Sequence, residues 1–149
     1  MSVPKYSVTA ADPFAGLLGY HLRRASVLVM ADLTAALEPL GLTPTAASVL
    51  FIIAAGGGVT QAEIGRALGI QRANMAPIIG HLIRQDLLER EAVDGRSQAL
   101  RLSRAGQATH RKAMQTTLAH EQRLFGNFTA AERERMIAQL RVVWESEGK

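Results

Sequence analysis

The chain has no cysteine, which excludes disulfides, zinc fingers, thiolate metal sites and thiol-based redox sensing. Aromatic residues make up only 5% of it, while alanine, leucine and isoleucine are abundant, a balance that favours helix. The longest nearly apolar run, Ala46 to Ala55, is about ten residues and includes Ser48; a bilayer-spanning helix needs about 20. The N-terminal stretch lacks the basic segment and long apolar run of a secretory signal. No serine sits in a nucleophile elbow, and no HExxH or paired-carboxylate constellation stands out, so nothing points to an enzyme. His110, His120 and Glu121 match no recognised ligand spacing. The expectation is a cytoplasmic protein without membrane contact, metal or cofactor.

What is present is ordinary globular composition: 149 residues, 48% hydrophobic and 20% charged. A chain of this length suits one domain and buries roughly two-thirds of its unfolded surface. The net charge of +4 suits a polyanionic partner weakly. Its distribution says more, because Arg66, Arg72, Arg84, Arg90, Arg96, Arg101 and Arg104 all fall between Thr60 and Arg104.

Capping signals divide the chain. Residues 1–12 read as a flexible arm and 13–149 as one domain. Asp12 and Pro13 predict a helix from about Phe14 to Glu38, stopped by Pro39 and Gly41. Its apolar positions cover more than one face, so it needs several neighbours, a second subunit among them. Thr43 and Pro44 open a helix to about Ala55. Thr60-Gln61-Ala62-Glu63 is a capping box opening a helix that ends at Gly69, and the next helix starts near Gln71. Leu87–Glu91 and Gln98–Leu102 read as strands about an Asp94-Gly95 turn. Ser103 caps a helix from Arg104 to about Asn127. Thr129 to Glu132 is a second capping box, opening a helix to about Glu145.

Helix, tight turn, helix and basic-tipped hairpin form the succession of a winged helix-turn-helix: mainly α with a small β-wing. Such a module places its second helix in the DNA major groove, N-terminal residues nearest the bases. Here those are Gln71, Arg72, Asn74 and Met75. Arg suits guanine at two points, and Gln or Asn suits adenine. Ile70, Ile78, Ile79, Leu82 and Ile83 form an apolar back docking on Ile64 and Leu68. Thr60 and Gln61 are placed to donate to phosphate. Pro77, within the second helix, implies either a kink or a later helix start. At the hairpin tip, Arg96 suits a narrow minor groove, with Asp94 orienting it.

Asp94-Gly95-Arg96-Ser97 matches the D-x-R-[SA] wing signature, and the chain resembles the MarR-type (multiple antibiotic resistance regulator) family. GLTPTAASVLFII, QAEIGRALGIQRANMAPIIGHLIRQDLLERE and ALRLSRAG carry the resemblance, which spans about Leu17 to Trp144. Pro77 and Leu88 depart from the family pattern. The resemblance implies a homodimer joined by terminal helices (about 13–40 and 104–146), with a winged head at about 43–103. It also implies a pseudo-palindromic double-stranded operator and repression relieved by a small effector, commonly an aromatic carboxylate, bound where dimerisation helices meet the head. Leu17, Tyr20, His21, Arg24, Leu50, Phe51, His110 and Met114 are the candidates to line that site, with Arg24 as anchor. Two rivals use the same fold: a non-specific architectural DNA-binding protein without effector, and a dimer whose head binds another protein.

Overall fold

Proline and capping hydroxyls set where the helices begin. A computed structural model describes residues 12–92 and 98–145. Helix α1 spans Leu18–Leu37 and gives way to a single 3-10 turn, Glu38–Leu40, holding Pro39. Its start falls later than expected. The Asp12 carboxylate does accept the Phe14 amide at 2.9 Å, but Leu17 is extended at φ −98, ψ 102 and breaks the ladder. Gly16, a weak helix former, lies in the turn before it. Helix α2 (Pro44–Gly56) starts as the sequence predicts, with Thr43 Oγ1 accepting from the Ala46 amide at 3.1 Å and Pro44 in the first turn.

Strand β1 (Val59–Thr60), helix α3 (Gln61–Leu68), helix α4 (Arg72–Arg84) and strands β2 (Leu88–Ala92) and β3 (Gln98–Leu102) follow. Helices α5 (Arg104–Phe125) and α6 (Ala130–Glu145) complete the described chain. The three strands form an antiparallel sheet in the order β1-β3-β2. Leu88 faces Leu102 and Ala92 faces Gln98, while Val59 and Thr60 pair with Leu100 and Ala99. The wing is therefore stitched to the segment between α2 and α3.

One continuous core runs through the winged helix, including Leu37, Val49, Leu50, Ile64, Met75, Ile79, Leu82 and Leu100. Fully burying such a side chain contributes about 1.5–3 kcal/mol, and the three from α4 (Met75, Ile79 and Leu82) follow one helical stripe. Ser103 is buried and joins head to α5: its Oγ accepts from the Gly106 amide at 2.9 Å and donates to the Asp86 carbonyl. Farther along, Asp32 on α1 pairs with Arg123 on α5 and lies 3.2 Å from Nε2 of the buried His120.

The terminal helices are different. Only Leu37 of α1 is buried, and no residue of α6 is. Leu18 is 70% exposed and Trp144 65%, with Val27, Leu28, Leu118, Ile137, Val142 and Val143 also open. Among the described residues no single helix is long and apolar enough to cross a membrane.

Candidate nucleic-acid interface

The turn between α3 and α4 is tight because glycines permit it. Gly69 adopts φ 63, in the left-handed region that costs glycine little. Gly65 lets the chain close over it: a Cβ there would stand 2.9 Å from the Ile70 carbonyl oxygen. The result delivers Gln71 as the N-cap of α4 with no side-chain cap bond of its own. Gln71, Arg72 and Asn74 all stand exposed in the first turn. Met75 does not. It is wholly buried, because it heads the stripe completed by Ile79 and Leu82, so its expected base contact is corrected to a core role. Ala73, Ala76 and Pro77 are exposed instead. Helix α4 continues unbroken through Pro77, so a later helix start is excluded.

A hollow of about 380 Å3 lies between α3 and the start of α4, with Gln61, Arg66, Gln71 and Arg72 on its walls. Arg66 is an interface candidate that sequence reasoning passed over; its position two residues after buried Ile64 was the available signal. Thr60 also needs correction. Its hydroxyl donates to the Glu63 carboxylate at 2.8 Å and accepts from the Glu63 amide at 3.3 Å. That donor is spent on the capping box, so the expected phosphate contact of Thr60 is corrected to a cap.

The Thr60 amide, at 2.7 Å, and then its hydroxyl hold the Glu63 carboxyl below the ordinary glutamate range, with Arg66 adding to the effect and desolvation opposing it. Thr129 does the same for Glu132. Because the folded pKa is depressed, each cap is at full strength above the ordinary glutamate pKa and is lost as pH falls through the lowered value. Side-chain carbon NMR should find both glutamates titrating low, with Glu63 moving back up in Thr60→Val. A Glu63 titration that Thr60→Val leaves where it was would remove the hydroxyl from this account.

On the sheet, Arg90 Nη1 donates to the Gln98 side-chain oxygen across the strands at 3.0 Å, and Arg101 Nε donates to Glu91. Asp94, Arg96 and Ser97, the expected wing contacts, lie outside the described residues.

Within the protomer the eight expected effector residues do not line one hollow. Leu50 is wholly buried in the core, so lining a pocket is corrected to packing. Leu17 is exposed, and His21, also exposed, bonds through Nε2 to the Ala15 carbonyl at 2.9 Å. Tyr20 stacks on Phe14 with ring centres 4.7 Å apart, and Arg24 lies 5.5 Å over the Tyr20 ring while its Nη1 donates to the phenol oxygen. Tyr20 and Arg24 border a hollow of about 360 Å3 formed by α1 alone. His110 instead meets Phe51 edge to face at 5.7 Å and borders a separate cleft between α2, β3 and α5; Met114 is half-buried farther along α5. Secondary-structure spacing could place residues on a helix face but not decide which faces share a cavity.

Two helices at a glycine-closed turn, an outward polar N-terminus and an antiparallel wing define a winged helix-turn-helix DNA-binding protein. A model of the MarR family matches residues 40–97. The solved transcriptional repressor CouR, bound to a 23-mer DNA duplex, is 34% identical with a TM-score of 0.79, over 85% of this chain and 92% of that one. CouR bound to p-coumaroyl-CoA is 30% identical, TM-score 0.79, over 91% and 96%. An HTH-type transcriptional repressor of Mycobacterium tuberculosis is 28% identical over 128 residues, 83% of this chain and 92% of its own. The chain belongs to the MarR family of transcriptional regulators, which bind DNA and are not enzymes.

Proposed function

We propose that the protein is a homodimeric repressor that holds a pseudo-palindromic operator and leaves it when an aromatic acid, or its coenzyme A thioester, binds. The observation that carries the DNA-reading part is the first turn of α4, where Gln71, Arg72 and Asn74 face out while Met75 anchors the helix from behind. Gln61 and Arg66 extend the polar face toward phosphate, and on the wing Arg96 takes the minor groove, oriented by Asp94, with Ser97 beside it on the backbone. The apolar residues exposed on α1 and α6 support the dimer, since a monomer rarely shows so large an apolar surface. The effector class follows the p-coumaroyl-CoA bound by CouR.

Titrating the protein onto DNA from upstream of its own gene, against random competitor, tests this reading. Specific binding should exceed random binding by about 10³ or more. Equal loss to random DNA would favour the architectural alternative. Arg72→Ala should relax discrimination at one base pair per half-site, costing about 1–3 kcal/mol there. A uniform loss across all sequences would make Arg72 a phosphate contact instead.

A further inference from the structure

We propose that Pro77 reads the C5-methyl group of an operator pyrimidine, thymine or 5-methylcytosine, and so sets a base preference that Arg72 and Asn74 do not. The proposal rests on the reading above that α4 enters the major groove, and deepens it by naming what the middle of that helix recognises.

Buried Met75, Ile79 and Leu82 fix which way α4 faces. By helical periodicity the side opposite that stripe carries Ala73, Pro77, Gly80 and Arg84, with Ala76 beside them. Ala73, Ala76, Pro77 and Arg84 are exposed. Arg84 is folded back along the helix, its Nη1 standing 3.4 Å from where a Cβ on Gly80 would be. The outward face therefore has polar groups at both ends, Arg72 and Asn74 at one and Arg84 at the other. Between them lie Ala73, Ala76 and Pro77, whose side chains can neither donate nor accept a hydrogen bond. The one apolar feature that base edges present in the major groove is the C5-methyl of a pyrimidine. Side chains without polar atoms discriminate there by touching that methyl.

Proline is the largest of the three and the least expected. It has no amide to donate to the Ala73 carbonyl and its ring crowds that oxygen, which makes it the poorest helix former. Helix α4 nevertheless carries Pro77 in its interior, with the ring exposed and outside the core. A residue that breaks the local rule on a partner-facing surface marks a place where function opposes stability. The ring suits contact as well, because it has no rotamer freedom to lose on burial. Pro77 lies five residues beyond Arg72, about 7.5 Å of helix rise, or about two base-pair steps of about 3.4 Å each. The methyl it reads therefore lies within about three base pairs of the pair that Arg72 reads.

The test uses the full chain and the DNA site that the wild type selects from a random-sequence duplex library. Each thymine of that site is replaced in turn by uracil, which removes only the methyl, and each cytosine by 5-methylcytosine, which adds it. One such change, within about three base pairs of the pair at which Arg72→Ala relaxes discrimination, should alter affinity about fourfold per half-site, the worth of one buried carbon. The same change should have little effect on Pro77→Ala, whose melting temperature should rise by several degrees because the helix regains a hydrogen bond. At that pair, preference for both methylated bases over uracil and cytosine identifies the methyl alone as the feature read. A response to only thymine or only 5-methylcytosine identifies that base as the source. A methyl effect that Pro77→Ala retains, or none at any pyrimidine, overturns the role of Pro77 while leaving α4 in the groove. Methyl discrimination lost together with a lower melting temperature assigns the loss to folding and overturns it too. A library that yields no preferred site overturns the operator reading and this proposal with it.

Discussion

Gly106→Ala should be among the most damaging single substitutions in the chain, lowering stability by about 3 kcal/mol or more. Gly106 is buried in the first turn of α5, where its amide donates to Ser103 Oγ. A Cβ built there stands 1.9 Å from the Leu87 carbonyl oxygen and 2.9 Å from its carbon. That oxygen already accepts the Ser103 amide at 3.1 Å. The obstacle is backbone, at the point where α4 hands over to β2, and not a side chain that can rotate away. Overpacking typically costs about 1–3 kcal/mol when side chains can adjust, so a backbone clash belongs at or beyond the upper end. At a few degrees per kcal/mol for a chain this size, the melting temperature should fall by roughly 6–12 °C. Protein concentration must be held constant, since melting of an oligomer depends on it. A shift under about 2 °C would mean that α5 can slide off Leu87 at little cost.

The second large effect concerns assembly. Ile137, Leu140 and Trp144 recur along α6 at helical spacing, beside Met136 and Val143, and all are exposed. Introducing two carboxylates with Ile137→Asp and Leu140→Asp should convert the proposed dimer to monomer, read by sedimentation or light scattering. Operator affinity should drop by about 10² to 10⁴, because the second head no longer binds as an intramolecular event. Circular dichroism should change little, since no residue of α6 is buried in the protomer. A double variant that stays dimeric would move the interface to α1 and α5, and a wild type that is already monomeric would remove the dimer from the proposal.

Much of this architecture is written locally. Thr43 with Pro44, both threonine–glutamate boxes and Ser103 each specify a helix start within a few residues, and the structure places every one of them as expected. The strand Gln98–Leu102 matches to the residue. What was not legible depends on tertiary arrangement or on one group serving two roles. Strand β1 is two residues long, too short to show alternation, and exists only because β3 lies beside it. Met75 was misplaced by its nearness to Arg72 and Asn74, although the same sequence carried the i, i+4, i+7 stripe that buries it. Thr60 could not be both a complete cap and a phosphate donor. The effector residues were grouped by an assumed fold, and the buried Leu50 shows how far a residue's surroundings can differ from its address.

The small strand β1 also has a mechanical meaning. Val59 and Thr60 hydrogen-bond to β3 immediately before α3 begins, and Gly69 holds α3 and α4 in one tight corner. Strand, corner and helix thus behave as a carpenter's square rather than as parts on hinges. The distance from the first turn of α4 to the wing strands is therefore set by this pairing and this corner. For the proposed dimer on its proposed operator, a half-site that is internally stretched or compressed would have to bend to fit, whereas a change in the spacing between half-sites would fall to the long helices joining the two heads.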